Sequence, residues 1–231
     1  MKIVRIACSW LVTLLIPLAL VFLGLRLLLT PLFLQVEYRM PGFPADNFGF
    51  TREDRLTYAP FALDYLLNDA PPSFLADLTF PNGSTLFTDR EVSHMLDVKN
   101  VVRPAMAVGY GVWIALLALG AWARWGGWWS EYRAGLRRGG WLTVGLVVVI
   151  ALGAAISFWQ FFTLFHGLFF EGESWIFLYS DTLIRLFPIR FWQDAFLMAG
   201  VIALGGGLAL GLGLRSRQRT PKRTNGEKRI S

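Results

Sequence analysis

Four long apolar runs constrain this chain more than any other feature of its sequence. They cover residues 6–34, 104–123, 141–165 and 195–214. Each can cross a hydrocarbon core of about 30 Å, which takes about 20 residues of helix. None alternates apolar and polar residues as barrel strands do, and a backbone in lipid must satisfy its own hydrogen bonds, so we expect helices. The sequence therefore predicts an all-α membrane protein with four transmembrane helices.

The composition suits a bilayer better than water. Hydrophobic residues make up 55% of the chain and charged residues only 16%, which leaves too little polar surface to cover a soluble globule. The first run follows Lys2 and Arg5, as the apolar part of a signal peptide would. It is longer than such a part and has no small-residue cleavage site. We therefore interpret residues 1–34 as a retained transmembrane helix.

Lys and Arg are distributed unevenly among the polar segments. They are abundant in residues 124–140 and 215–231, whereas acids outnumber bases in residues 35–103 and bases are sparse in residues 166–194. The positive-inside rule then predicts cytoplasmic termini, a cytoplasmic basic loop and tail, and two extracytoplasmic segments. Topology and attraction of the tail to anionic phospholipids explain the net charge of +6, so we expect no nucleic-acid partner.

The segment between the first and second runs contains helix signals. Thr51 with Asp54 three residues later forms a capping-box pattern that predicts a helix over residues 52–67. Pro71 and Pro72 follow this helix and stop it. A second helical stretch is predicted from about Thr88 to the membrane entry. We expect short amphipathic helices that lie on the outer leaflet.

The chain has only two histidines, and both lie beside predicted membrane entries on the outer side. His94 has Asp97 three residues later, where a carboxylate can fix the imidazole tautomer and raise its basicity. His166 follows the third run in the aromatic segment FFTLFHGLFFEGESW, which favours the neutral imidazole. Two such imidazoles form a candidate site for proton transfer. The same positions also fit a solvated helix face for His94 and an interfacial side chain for His166.

Three further charged residues are supporting candidates. Asp181 and Arg185 have the i,i+4 spacing of a helical ion pair. Arg26 lies toward the outer end of the first run, where a guanidinium can contact a phosphate or an ester carbonyl, or extend to the headgroups. The sequence has no Gly-rich phosphate loop, no G-x-S-x-G elbow, no H-E-x-x-H helix and no paired CxxC. We therefore expect no nucleotide hydrolysis, serine hydrolysis or zincin chemistry, and no cofactor or metal.

Three sequence blocks carry a more specific signal: FPADNFGFTREDRLTYA, REVSHMLDVKNV and FHGLFFEGESWIFLYSDTLIRLFP. They resemble the bacterial integral membrane family that contains lipoprotein intramolecular transacylase, called Lit, most specifically in HMxDVK and FHxxFF. The resemblance implies an enzyme of the bacterial cytoplasmic membrane that acts at the outer leaflet on a diacylated lipoprotein. By this resemblance, the enzyme moves the sn-2 acyl chain of the diacylglyceryl-cysteine to the α-amine and leaves an N-acyl, S-monoacylglyceryl lipoprotein. The resemblance also implies that His94 and His166 are the catalytic dyad.

Two imidazoles suit such a reaction. One can accept a proton from the attacking amine, and the other can act as an acid or donate a hydrogen bond to the oxyanion. The nearby Asp97 favours His94 as the base. Two alternatives remain: an acyltransferase that acts on another outer-leaflet lipid, and a non-enzymatic membrane scaffold or accessory subunit. A scaffold should tolerate the loss of both imidazoles, whereas either enzyme should not.

Overall fold

The computed structural model describes residues 1–214, and this part of the chain is almost entirely helical. Its only pairing of extended residues is an isolated antiparallel bridge between Thr79 and Thr85. The basic tail, residues 215–231, lies outside the described residues. In chain order the helices are α1 (Lys2–Leu28), α2 (Pro31–Glu37), α3 (Arg52–Leu67), α4 (Ser73–Ala76), α5 (Asp89–Trp125), α6 (Trp129–Ile156), α7 (Phe158–Phe169), α8 (Thr182–Leu186) and α9 (Ile189–Gly213).

Helices α1, α5, α6 and α9 are long and apolar enough to cross a membrane. This confirms the prediction of an all-α membrane protein with four transmembrane helices. α1 ends at Leu28, and Pro31 begins the separate helix α2. A proline ring disfavours the helical conformation of the residue before it, and Thr30 is extended, with φ −138° and ψ 148°. The Thr30 side chain accepts a hydrogen bond from the Phe33 N–H and so caps α2.

The helix α5 joins the predicted stretch after Thr88 to the second membrane span. Thr88 and Glu91 form a capping box at its start. The helix continues through Pro104 to Trp125 and is 37 residues long, which corresponds to about 55 Å. A bilayer core is only about 30 Å thick. Because charged side chains crowd residues 89–103 and are absent from residues 104–123, the spanning part begins near Pro104 and the part before it lies outside the span.

The third run forms parts of two helices. α6 begins at Trp129, so most of the connection before the run is also helical, and it ends at Ile156. Ser157 then takes an extended conformation, with φ −157° and ψ 103°, and its side chain caps α7 by accepting the Gln160 N–H. With 12 residues, α7 is too short to cross the bilayer. His166 therefore lies on a separate helix that begins after the break at Ser157.

Glycines allow α6 to pack closely against α1 and α9. A Cβ atom on Gly140 would lie 2.6 Å from the carbonyl oxygen of Gly207 in α9. A Cβ atom on Gly139 would lie 2.6 Å from the Cβ of Ile16 in α1. In lipid, such small residues let helix backbones approach and gain van der Waals contact. The three helices thus form the scaffold on which the other elements are placed.

The two polar segments, residues 35–103 and 166–194, contribute to one hydrophobic core. α3 has the predicted bounds and the predicted capping box of Thr51 and Asp54. Its residues pack with α2, α4, the first turns of α5, α8 and the start of α9. A segment of about 70 residues buries little apolar surface by itself, so the second segment completes the core. The most buried large apolar side chains of this core are Tyr65, Leu75, Leu86 and Leu186, each at most 2% exposed.

A carboxyl group is buried beside this core, next to a second carboxyl group. Glu37, at the end of α2, is 0% exposed, and within residues 1–214 no donor group reaches its carboxyl oxygens. Asp194 of α9 is nearby and forms an ion pair with Arg190, with 2.5 Å between Oδ2 and Nε. Burial raises the pKa of Glu37 to about 7, together with the Asp194 charge and a hydrogen bond between the two carboxyl groups, against the opposing effect of Arg190. Glu37 is therefore protonated in mildly acidic solution.

Glu37 should make the fold less stable as the pH rises from about 5 to about 8. The folded chain keeps this proton up to a pKa of about 7, whereas the unfolded chain releases it near 4.5. The contribution is complete below the unfolded pKa and is lost as the pH passes the folded pKa, a change of roughly 1 to 3 kcal/mol. Thermal unfolding in detergent micelles across this pH range measures it. Glu37→Gln should flatten the slope, and an unaltered slope in this variant would contradict the assignment.

Candidate active site

His94 lies in the second turn of α5, in the polar part of that helix. Its side chain is buried, with only 8% of the residue exposed. Phe170 and Phe177 pack edge-on against the imidazole, with ring centroids 5.1 Å and 5.3 Å from it. Both phenylalanines belong to the connection that follows α7, so His94 is covered by a segment remote in sequence.

His166 lies near the end of α7 and is equally buried, at 8% exposed. Its ring centroid lies 4.1 Å from that of Phe162, 4.6 Å from that of Trp175 and 5.7 Å from that of Phe170. Its Nδ1 atom lies 2.8 Å from the carbonyl oxygen of Phe162, one turn earlier on the same helix. A carbonyl only accepts hydrogen bonds, so Nδ1 carries the proton and Nε2 keeps its lone pair.

The fold brings the two histidines to one aromatic cluster. Both imidazoles contact the Phe170 ring. Burial, followed by the nearby His166, lowers the pKa of His94 to about 4. Burial also lowers the pKa of His166, against the opposing effect of its bond to the Phe162 carbonyl. Both imidazoles are therefore neutral at pH 7.

The hydrogen-bonding of His94 indicates which of its nitrogens carries the proton. Within residues 1–214 its buried Nδ1 has no hydrogen-bond partner. A buried donor without an acceptor is rarer in proteins than an under-used acceptor. We therefore assign the proton to Nε2, which makes His94 an N–H donor. The pair then combines one basic nitrogen, on His166, with one N–H donor, on His94.

The other sequence candidates do not join the histidines. Asp97 is exposed and forms no hydrogen bond with His94, so the carboxylate expected to orient that imidazole does not do so. Arg26 donates to the carbonyl of Leu29 at the end of its own helix. Asp181 accepts the N–H of Leu178. Arg185 does not pair with Asp181, because it bonds instead with Asp46, 3.1 Å from Nη2 to Oδ2.

Sequence reasoning missed the aromatic walls and a buried carboxylate. Phe170, Trp175 and Phe177 enclose the imidazoles, and the only signal for them is the aromatic density after His166. Glu91, three residues before His94 in the sequence, is 0% exposed and accepts the backbone N–H of Leu183 at 2.6 Å. No group of three or more His, Cys, Asp or Glu side chains in residues 1–214 is placed to hold a metal ion.

The arrangement suits proton transfer in a nearly dry site. A neutral imidazole with a free Nε2 can take a proton from a nucleophile and return it to a leaving group. An N–H donor in surroundings of low dielectric can stabilise an oxyanion more strongly than water would. Neither His94 nor His166 needs to act as a nucleophile for this chemistry.

Comparisons with known proteins agree with one another. The family model described as lipoprotein intramolecular transacylase Lit matches residues 10–192. An uncharacterized protein of Aquifex aeolicus (strain VF5) is 31% identical over 203 residues, which cover 85% of this chain and 88% of the relative. The crystal structure of Lit from Bacillus cereus is 18% identical, with a TM-score of 0.64 over 91% of this chain and 94% of that chain. A variant of that protein with one histidine changed to alanine is 21% identical, with a TM-score of 0.62 over 90% and 93% of the two chains.

Proposed function

The chain belongs to the Lit family of lipoprotein intramolecular transacylases and is an enzyme, and on this premise we propose the reaction that it catalyses. The substrate is a lipoprotein whose N-terminal cysteine carries a diacylglyceryl group. The acyl chain at sn-2 moves to the α-amine of the same cysteine. The product is an N-acyl, S-monoacylglyceryl lipoprotein.

The observation that carries this proposal is the convergence of the two imidazoles. His94 and His166 are the only histidines in the chain, they come from different helices, and both contact Phe170 in a buried aromatic cluster. Acyl transfer to an amine needs proton removal from nitrogen, proton delivery to oxygen and stabilisation of an oxyanion. A basic nitrogen and an N–H donor held together supply all three.

We assign the base to His166 and the hydrogen-bond donor to His94. The bond from Nδ1 to the Phe162 carbonyl supports this, because it leaves Nε2 of His166 as the acceptor. The hypothesis that Asp97 makes His94 the base loses its support, since Asp97 is exposed and has no hydrogen bond to that ring. Asp97, Arg26, Asp181 and Arg185 therefore have no part in the proposed chemistry.

The step conserves protons and needs no further reactant. The neutral α-amine attacks the sn-2 ester carbonyl to form the new C–N bond, and His94 donates a hydrogen bond to the oxyanion. Nε2 of His166 takes the proton from the attacking nitrogen. As the bond between the carbonyl carbon and the sn-2 oxygen breaks, His166 returns that proton to the oxygen. Donor and acceptor belong to one molecule, so orientation can lower the barrier by about 7 to 11 kcal/mol.

The surface of α7 supports entry of the acyl chains from the bilayer. Leu164 and Leu168 are 67% and 72% exposed and face away from the side of α7 that carries Phe162 and His166. Such apolar exposure suits contact with lipid. We propose that the enzyme lies in the bacterial cytoplasmic membrane with both termini in the cytoplasm and the histidines at the outer leaflet, as the distribution of Lys and Arg predicts. Phospholipids then surround the site.

Mass spectrometry of a synthetic diacylglyceryl lipopeptide tests the reaction. After incubation with the purified protein in micelles, the total mass should be unchanged, and fragmentation should place one acyl chain on the amine. An N-acetylated lipopeptide and one with an ether-linked sn-2 chain should remain unmodified, since each lacks one reacting group. No relocation by folded protein would refute the proposal. Acyl loss from added phospholipid would instead identify an acyltransferase for another lipid.

A further inference from the structure

The connection after α7 covers both histidines. We call residues 170–187 the covering segment, which includes α8. Its Phe170 contacts both imidazoles, Trp175 contacts His166 and Phe177 contacts His94. The position of this segment therefore determines how the two rings are enclosed.

The covering segment is attached to the first turn of α5 and to Leu86, which lies two residues before the N-cap of α5. Leu183 donates its N–H to Oε1 of Glu91 at 2.6 Å. Thr182 donates its hydroxyl to the carbonyl of Leu86 at 2.5 Å. Arg90 donates to the carbonyl of Glu173 at 2.9 Å and lies 5.6 Å from the Phe177 ring centroid. These attachments join the covering segment to the helix that carries His94.

Glu91 is the buried member of this set, and it has two separate partners. Oε2 accepts the N–H and the hydroxyl of Thr88, at 2.7 Å and 3.0 Å, which caps α5. Oε1 holds the covering segment through Leu183. The residue is 0% exposed, so water does not replace a lost partner. One carboxylate therefore fixes both the start of α5 and the segment over the active site.

We propose that Glu91 is a positioning residue that holds the covering segment closed over His94 and His166. The effect on catalysis rests on the proposed transacylation, whereas the effect on enclosure does not. Glu91 touches neither imidazole through a hydrogen bond and acts through Leu183. Its loss lets the covering segment move, which admits water to the imidazoles and disturbs their alignment.

Glu91→Gln tests the positioning role. The amide offers one acceptor oxygen and places an NH₂ group against an N–H donor, so only one of the two attachments can survive. We expect kcat to fall by about 10- to 100-fold, because a small misplacement of the two imidazoles slows the reaction by this much, and KM to change less than about twofold. Asp54→Asn is the matched control. Asp54 is the capping-box carboxylate of α3, and within residues 1–214 its side chain accepts only from Thr51.

Histidine carbethoxylation measures enclosure without any turnover. The chain has only two histidines, so diethyl pyrocarbonate adducts on each can be followed by peptide mass spectrometry of the folded protein. Both should react slowly in the wild type. In Glu91→Gln the carbethoxylation rate of the two histidines should rise at least about fivefold, as expected for local opening of the covering segment. In Asp54→Asn this rate should not rise. If the wild type does not transacylate, this comparison still decides the role of Glu91.

Arg90→Met provides a second test at an exposed position, where a substitution disturbs the packing less than at the buried Glu91. It removes the attachment to Glu173 and the contact with Phe177 but leaves Glu91 intact. Carbethoxylation of His94 should increase, by less than in Glu91→Gln. Equal kcat and equal adduct rates in Glu91→Gln and Asp54→Asn would overturn the proposal, as would an unchanged His94 rate in both Glu91→Gln and Arg90→Met.

Discussion

We expect His166→Gln to lower kcat for acyl transfer by about 10²- to 10⁴-fold, the range that loss of a general base produces. Glutamine has a similar reach and is polar, but its amide nitrogen has no basic lone pair. The proton of the attacking amine then has no acceptor in the buried cluster. KM should change little, because the proposed role of His166 is in the transition state and not in holding the acyl chains.

Initial rates with saturating lipopeptide, followed by mass spectrometry of the relocated acyl chain, measure this effect. Thermal unfolding of the variant in the same micelles controls for loss of structure, since His166 also bonds to the Phe162 carbonyl. His166→Ala should be no more active than His166→Gln. A folded His166→Gln protein that keeps more than a tenth of the wild-type kcat would exclude His166 as the base.

Substitution of His94 should depend on whether the new side chain can donate a hydrogen bond. His94→Leu should lower kcat by about 10²- to 10³-fold, as removal of one oxyanion donor does. His94→Gln should retain much more activity, because its terminal N–H can lie near the position of Nε2–H. The same rate assay compares the two variants, and leucine and glutamine are close enough in size to keep the contacts with Phe170 and Phe177.

The contrast between the two positions tests the division of roles. Glutamine should rescue activity at position 94 and fail at position 166. If His94→Gln is as inactive as His94→Leu while His166→Gln remains active, the roles are reversed. If both glutamine variants remain fully active, neither imidazole is catalytic and the proposed mechanism is wrong.

Local signals in the sequence predicted much of the scaffold. The four spanning helices follow from apolar length, and the start of α3 follows from Thr51 and Asp54 three residues apart. These features depend on residues within one or two helical turns. The breaks near Thr30 and Ser157 were not predicted, because the apolar runs continue through both positions. Hydropathy does not register the end of one helix and the start of another within an apolar run.

The sequence alone determined the class of protein and both candidate catalytic residues. Hydropathy requires a helical membrane protein. The chain has two histidines and no other side chain that usually titrates near pH 7, which restricts the choice of proton carriers.

Only the tertiary structure decided how these groups are arranged. It left Asp97 exposed and without a bond to His94, placed Nδ1 of His166 beside the Phe162 carbonyl and brought Glu91 into contact with Leu183. These outcomes depend on how α7 leaves Ser157 and how the covering segment packs on α5. Contacts between elements so distant in sequence arise from the packing of the whole chain, and local periodicity contains no record of them.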